Sequence, residues 1–267
     1  MIYKKIMLNS FNKNASKDAV LEIYLYDSSS KKRPAMLVVP GGGYFSIAPL
    51  EGETVALRYQ SEGFNTFVLT YAINKPYPAS HLDLAVATLF IRLQENEYNL
   101  DGHLFMVGFS AGGHLVGSFS YLYPELAATL EINPAALLPT AIILSYPVIS
   151  FVHNAHLATR DILTDNIPSL YNKFSIEKHI DKSYPPTFIW TTLGDKGVNP
   201  SHSEDMVKAL KEAGVTYECY FFKGDLDHGQ SNVSLEVKGR FVPFTKEELE
   251  CKSGVDKSLD FIIKNFY

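Results

Sequence analysis

The sequence predicts an α/β fold in which one mostly parallel sheet carries helices on both faces, a three-layer sandwich. Two observations carry this reading. Short apolar runs rich in Val, Ile, Leu and Phe recur along the chain and alternate with longer amphipathic stretches, the order expected of strands and crossover helices. A chain of 267 residues with 46% hydrophobic content is long enough for one large core, so residues 1–267 are expected to form a single domain.

The elements follow in order. Residues 1–30 read as one or two early strands, and residues 19–26 alternate well enough for a half-buried edge strand. Lys31-Lys32-Arg33-Pro34 is an exposed turn before the apolar strand Leu37-Val38-Val39. Residues 54–62 read as a helix, 65–71 as a strand and 80–97 as a long helix with apolar residues at helical spacing. A short strand at 104–107 precedes a small, apolar helix over 111–121, and residues 141–146 form the next strand. Residues 148–184 are richer in His, Asn and Asp and keep no sustained period, so they read as an insertion over the site. Strands at 186–192 and 217–222 and amphipathic helices at 204–213 and 257–266 complete the set.

The most informative stretch is Val107-Gly108-Phe109-Ser110-Ala111-Gly112-Gly113-His114, where a strand, a Gly-x-Ser-x-Gly core and a helix start coincide. This is the pattern of a nucleophile elbow, a tight strand-to-helix turn that lifts the Ser110 hydroxyl above the sheet edge, with Gly108 and Gly112 leaving room for the chain to close. A phosphate-binding loop is the rival reading, but Gly-Lys-Ser/Thr is missing. Serine is a weak nucleophile alone, so a base, an orienting acid and an oxyanion site must be supplied elsewhere. His228, in the polar loop Gly224-Asp225-Leu226-Asp227-His228-Gly229 after the 217–222 strand, has the position of the base. Asp195 follows the end of the 186–192 strand, where open α/β sheets place their chemistry. Asp225 and Asp227 are nearer to His228 in sequence, yet a residue one or three positions away on the same loop usually points elsewhere, which favours Asp195.

Pro40-Gly41-Gly42-Gly43-Tyr44 supplies the remaining part. The glycines let backbone N–H groups of Gly42 and Gly43 turn toward a developing oxyanion, and the amide of Ala111 at the helix start adds a third donor. Donors of this kind contribute about 3–4 kcal/mol each to the transition state.

With these residues in place, the chain resembles the α/β-hydrolases of the acetyl esterase/lipase type, in particular the carbohydrate-esterase branch of xylan and feruloyl esterases. The resemblance rests on Pro40-Gly41-Gly42-Gly43-Tyr44, Glu51-Gly52-Glu53, Phe67-Val68-Leu69-Thr70-Tyr71, Tyr77-Pro78-Ala79, residues 108–114, Pro185-Pro186-Thr187-Phe188-Ile189-Trp190, Gly194-Asp195 and His228-Gly229, in that family's order over roughly residues 34–267. Pro40 stands where the His-Gly-Gly-Gly subgroup has His, and Asp195-Lys196-Gly197-Val198-Asn199-Pro200 replaces the more usual Asp-Asp and Val-Pro. The resemblance implies Ser110 as nucleophile, Asp195 as orienting acid and His228 as general base. It further implies hydrolysis of short-chain acyl esters, acetyl above all, on sugars or xylo-oligosaccharides, with no cofactor. A prolyl-oligopeptidase-type serine peptidase shares this order of residues but normally carries a large propeller domain, and a non-catalytic hydrolase-fold binding protein is the rival from another class.

The net charge of −5 is modest. No basic block points to nucleic acid, and no run of 18 or more apolar residues points to a membrane span. The first residues, Met1-Ile2-Tyr3-Lys4-Lys5-Ile6-Met7-Leu8, lack a signal peptide's apolar core, so a cytoplasmic location is expected. Cys219 and Cys251 make no disulfide framework. His114, in the first turn of the elbow helix, is expected to pack or hydrogen-bond beneath the site. His153 and His156 have i, i+3 spacing but no third ligand nearby in sequence, so a metal pair is not expected. The expected partner is a small ester substrate, an acylated oligosaccharide included, and the sequence leaves the oligomeric state, a homodimer included, open.

Overall fold

The computed structural model describes residues 1–26, 31–224, 226–229 and 245–267. Eight strands form one sheet in the order β1-β2-β4-β3-β5-β6-β7-β8. Strand β1 (Ile2–Met7) pairs antiparallel with β2 (Val20–Leu25), and β2 pairs antiparallel with β4 (Asn65–Thr70). From β4 onward, β3 (Arg33–Val39), β5 (Leu100–Phe109), β6 (Ala141–Ser145), β7 (Thr187–Thr192) and β8 (Tyr217–Phe222) all run parallel. The expected half-buried edge at residues 19–26 is corrected: β2 is flanked on both sides, with five of its six residues buried, and β1 takes the edge. The sequence of β1, with Tyr3, Lys4 and Lys5 exposed, is suited to an unpaired rim.

The central strands are apolar without alternation because both faces are covered. On one face Leu37, Val39 and Met106 pack with Leu84 and Ile91 of α3 (Ala79–Leu93), Leu115 and Phe119 of α4 (Ala111–Leu130) and Met206 and Leu210 of α6 (Ser201–Ala213). On the other, Met36, Val38 and Phe105 pack with Val55 and Tyr59 of α2 (Glu53–Ser61) and with Phe261 and Ile262 of α7 (Lys246–Phe266). A short α1 (Leu8–Phe11) connects β1 to β2. No helix among the described residues is long and apolar enough to cross a membrane.

Two helices outrun their sequence-based bounds by more than two turns. The elbow helix continues through Pro124 to Leu130 because Leu126, Ala127 and Leu130 prolong its buried stripe. Helix α7 begins at Lys246, where Thr245 and Glu248 form a reciprocal cap: Glu248 N–H donates to Thr245 Oγ1 (3.2 Å) and Thr245 N–H to Glu248 Oε2 (2.6 Å). Its early buried positions are Cys251, Gly254 and Ser258, small residues that leave no apolar period to read, and Gly254 lies against the Trp190 ring.

Residues 148–184 contain α5 (Leu157–Thr164) and two single 3₁₀ turns, Pro168–Leu170 and Ile176–Lys178. Buried His202 of α6 fixes where this segment starts. Its Nδ1 accepts from the amides of Ile149 (2.9 Å) and Ser150 (3.0 Å), and its Nε2 donates to the Asn154 carbonyl (3.0 Å). Only the neutral ring can do both, and burial lowers its pKa to favour that form. Asp83 plays a similar part on α3, its two oxygens accepting from Ser16 N–H (2.6 Å) and Ala72 N–H (2.8 Å), with burial raising the carboxyl to about 6.

Candidate active site

The elbow adopts the geometry that its glycines suggest. Ser110 sits between β5 and α4 at φ 53°, ψ −118°, outside the usual regions for an L-residue, and is nearly buried. Its backbone is pinned from both sides, its N–H donating to Ser145 O (2.9 Å) and its carbonyl accepting from His114 N–H (3.1 Å) and Val148 N–H (3.1 Å). A side chain at Gly108 would run into the carbonyl of Gly112, and one at Gly112 into the carbonyls of Val39 and Pro40. The Gly-x-Ser-x-Gly spacing is therefore a steric requirement of this turn.

The three residues picked from distant stretches of sequence meet. His228 Nε2 lies 2.7 Å from Ser110 Oγ, and His228 Nδ1 lies 2.8 Å from Asp195 Oδ2. Asp195 is almost wholly buried, and its other oxygen accepts from the amides of Gly197 (2.9 Å) and Val198 (2.8 Å). A carboxylate held this way only accepts, so Nδ1 of His228 carries the proton and Nε2 is left to accept from the Ser110 hydroxyl. Gly197 makes the approach feasible, since a Cβ there would press on His228 Cβ and Cγ at 2.7 and 2.8 Å. Asp227 turns away from the ring toward the backbone, accepting from Lys196 N–H (3.0 Å) and His228 N–H (2.7 Å). Asp225 lies outside the described residues.

Opposite the elbow, the glycine loop is tied down through its carbonyls. Gly42 O accepts from the amides of Phe45 (3.1 Å) and Ser46 (3.0 Å), Gly41 O from Ala48 N–H (3.0 Å), and Tyr44 O from Asn74 N–H (2.7 Å). Tyr71 donates its hydroxyl to Pro40 O (2.8 Å). Among the described residues, the amides of Gly42, Gly43 and Ala111 have no protein acceptor, and the same is true of Tyr44, Gly112 and Gly113 beside them.

His114 is fully buried, stacked on Phe151 (ring centroids 4.4 Å apart). Its Nδ1 accepts from the Tyr44 hydroxyl (3.0 Å) and its Nε2 donates to Phe174 O (2.9 Å), so it joins the glycine loop to the 148–184 segment beneath the site. Burial lowers its pKa from 6.5 to about 4. Between those values the unfolded chain binds a proton that the folded chain excludes, so this stability is complete above pH 6.5 and lost as pH falls toward 4. The shift corresponds to about 3 kcal/mol. Denaturant midpoints measured from pH 7 to pH 4 are expected to fall more steeply for the native protein than for His114→Gln, which keeps one acceptor and one donor but cannot titrate. Parallel curves would show that His114 is not the group responsible.

His153 and His156 are engaged separately. His153 Nδ1 meets Asp205 Oδ2 (2.6 Å) in solvent, and His156 caps α5, its Nδ1 2.6 Å from Thr159 Oγ1. Among the described residues, no three His, Cys, Asp or Glu side chains are grouped to hold a metal ion. One feature escaped the sequence reading. Glu51 is buried, with Oε2 accepting from Gly41 N–H (2.7 Å) and Oε1 from the Tyr146 hydroxyl (2.8 Å). Only its place beside Gly52-Glu53 drew attention to it, and nothing in that stretch reports burial.

Comparison with known proteins places the fold and the family. The family model BD-FAE matches residues 21–210, which include the glycine loop and the elbow. The chain belongs to the BD-FAE family. This is an α/β-hydrolase family of carboxylic ester hydrolases. Endo-1,4-beta-xylanase B of Butyrivibrio fibrisolvens is 34% identical over 224 residues, 80% of this chain but only 35% of that protein, so this BD-FAE chain spans about a third of its relative's length. An acetyl ester-xyloside bifunctional hydrolase from Caldicellulosiruptor lactoaceticus is 31% identical with a TM-score of 0.74, covering 91% of this chain and 89% of that one. The carboxylesterase Cest-2923 from Lactobacillus plantarum superposes with a TM-score of 0.85 over 99% of this chain and 98% of that one, and at 23% identity it speaks for the fold alone.

Proposed function

We propose that this chain is a serine carboxylesterase that removes short acyl groups, acetyl above all, from sugars or xylo-oligosaccharides. The observation that carries the proposal is the continuous relay Ser110 Oγ, His228 Nε2, His228 Nδ1 and Asp195 Oδ2, with contacts of 2.7 and 2.8 Å. In this reading Ser110 attacks the ester carbonyl while His228 takes its proton, forming a tetrahedral intermediate whose oxyanion is held by the amides of Gly42, Gly43 and Ala111. His228 then protonates the departing alcohol. Water, deprotonated by the same imidazole, attacks the acyl-enzyme and releases the acid and free Ser110. Asp195 keeps the imidazole in one tautomer and stabilises the imidazolium. None of these steps calls on a metal or organic cofactor.

The sugar part of the proposal draws on the named activities of the Caldicellulosiruptor and Butyrivibrio relatives. The same proposal takes residues 1–267 as one hydrolase domain, with residues 148–184 shaping the pocket. Its support is that this segment begins at the Ser110 backbone, through Val148 N–H, and is buttressed under the elbow by Phe151 and the Phe174 carbonyl.

A series of p-nitrophenyl esters from acetate to decanoate, run beside acetylated xylo-oligosaccharides, tests the assignment. The expected result is a kcat/KM that is highest for acetate or propionate and falls by at least about tenfold by octanoate, each methylene that no longer fits costing about 1 kcal/mol or more. Acetate release from the oligosaccharides is expected as well. A maximum at long chains, or faster cleavage of a peptide amide than of any ester, would contradict it.

A further inference from the structure

We propose that Glu51 is a positioning residue for the Ser110 reaction, its one buried carboxylate holding the oxyanion loop and the ring that backs His228 in a fixed relation. This rests on the reading of Ser110, His228 and the glycine amides given above. Glu51 ends the 3₁₀ turn Pro49–Glu51 and is 6% exposed. One oxygen accepts from Gly41 N–H (2.7 Å), the residue just before the two proposed donors Gly42 and Gly43. Gly41 itself lies so close to the nucleophile that a Cβ on it would come within 2.8 Å of Ser110 Cβ. The other oxygen accepts from the Tyr146 hydroxyl (2.8 Å).

Tyr146 is the far end of this bracket. It leaves β6 in a left-handed conformation (φ 37°), its N–H donating to Trp190 O (2.7 Å), and its ring meets the His228 imidazole edge-on with centroids 5.1 Å apart. The carboxylate therefore joins the loop that would face the oxyanion to the aromatic wall that limits where His228 can lean. Burial raises the pKa of Glu51, so the fold keeps an acid where a neutral side chain would be easier to enclose. A requirement for two well-placed acceptor atoms explains its presence. Without them Gly41 N–H and the Tyr146 hydroxyl become buried donors that must move to find partners. Displacements below an ångström at such groups are enough to cost catalysis heavily.

The test compares Glu51→Ala, Glu51→Gln and Tyr146→Phe in the full chain, reading kcat and KM for p-nitrophenyl acetate, inhibition by an alkyl boronic acid and thermal melting. Gln can accept from Gly41 N–H and donate to a reversed Tyr146 hydroxyl, so it preserves the bracket without the charge. Glu51→Ala is expected to lower kcat by about 100-fold with KM within about threefold, and to weaken the boronic acid in parallel, as loss of an interaction made in the transition state requires. Glu51→Gln is expected to recover most of that loss, and Tyr146→Phe to lose about tenfold in kcat. A folded Glu51→Ala with native kcat, or one in which only KM rises, overturns the inference, as does a Glu51→Gln no better than Ala. If Glu51→Ala does not fold, native kcat in Tyr146→Phe overturns it instead. Failure of the underlying reading looks different, because then the native protein itself does not turn over or acylate at Ser110.

Discussion

Replacing Ser110 with Ala is expected to lower kcat for p-nitrophenyl acetate by about 10⁵-fold or more while leaving the melting temperature close to native, the scale seen when a hydrolase loses the nucleophile of an interdependent triad. The substitution is clean in this fold. Ser110 is held by its backbone, through Ser145 O and the amides of His114 and Val148, and among the described residues its hydroxyl bonds only His228. Alanine keeps the Cβ and removes the hydroxyl oxygen alone. The glycine amides and pocket remain, so a residual rate above the uncatalysed reaction is expected rather than none. Turnover kept within tenfold of native, by stopped assay with purified protein, would mean that another group attacks the ester.

Asp195→Asn is expected to produce the second largest effect, a loss of about 10⁴-fold in kcat with little change in KM. The side chain lies between two sets of donors: the amides of Gly197 and Val198 on one oxygen and His228 Nδ1 on the other. The loop amides need the Asn oxygen, which leaves the NH₂ group facing His228. The ring must then present Nδ1 as an acceptor and carry its proton on Nε2, where it can no longer take the proton of Ser110. Asp227→Asn makes the contrast. Its carboxylate meets backbone N–H groups of Lys196 and His228, not the imidazole, so a much smaller loss is expected. Equal losses in the two variants would remove Asp195 from the relay.

What the sequence could disclose follows from which signals are local. Parallel strands buried on both faces appear as plain apolar runs, and the elbow appears as glycines at a fixed spacing because Gly108 and Gly112 have no space for a side chain. Residues 19–26 read as an edge strand, whereas β2 lies between β1 and β4, because alternation does not report how many neighbours a strand has. The first half of α7 was invisible because Cys251, Gly254 and Ser258 bury small surfaces against Trp190 and its surroundings. Asp195 and His228 are marked by chain order, whereas the buried roles of Glu51, Tyr146 and His202 are not legible. Each of those three is polar, and its importance lies in partners far away in sequence. Burial of a polar group is a property of the assembled fold, and no periodicity announces it.

The central claim is that Ser110 carries the acyl group. Rapid acid quench of the native protein mixed with excess p-nitrophenyl acetate, followed by peptide mass spectrometry, reads this directly. The account predicts one acetyl group on the peptide that contains Ser110, absent in Ser110→Ala and accumulating in protein whose His228 has been replaced by Ala if any acylation occurs there. An acetyl group on a different residue, or native turnover with no acetylated peptide and no burst of nitrophenol, would contradict it.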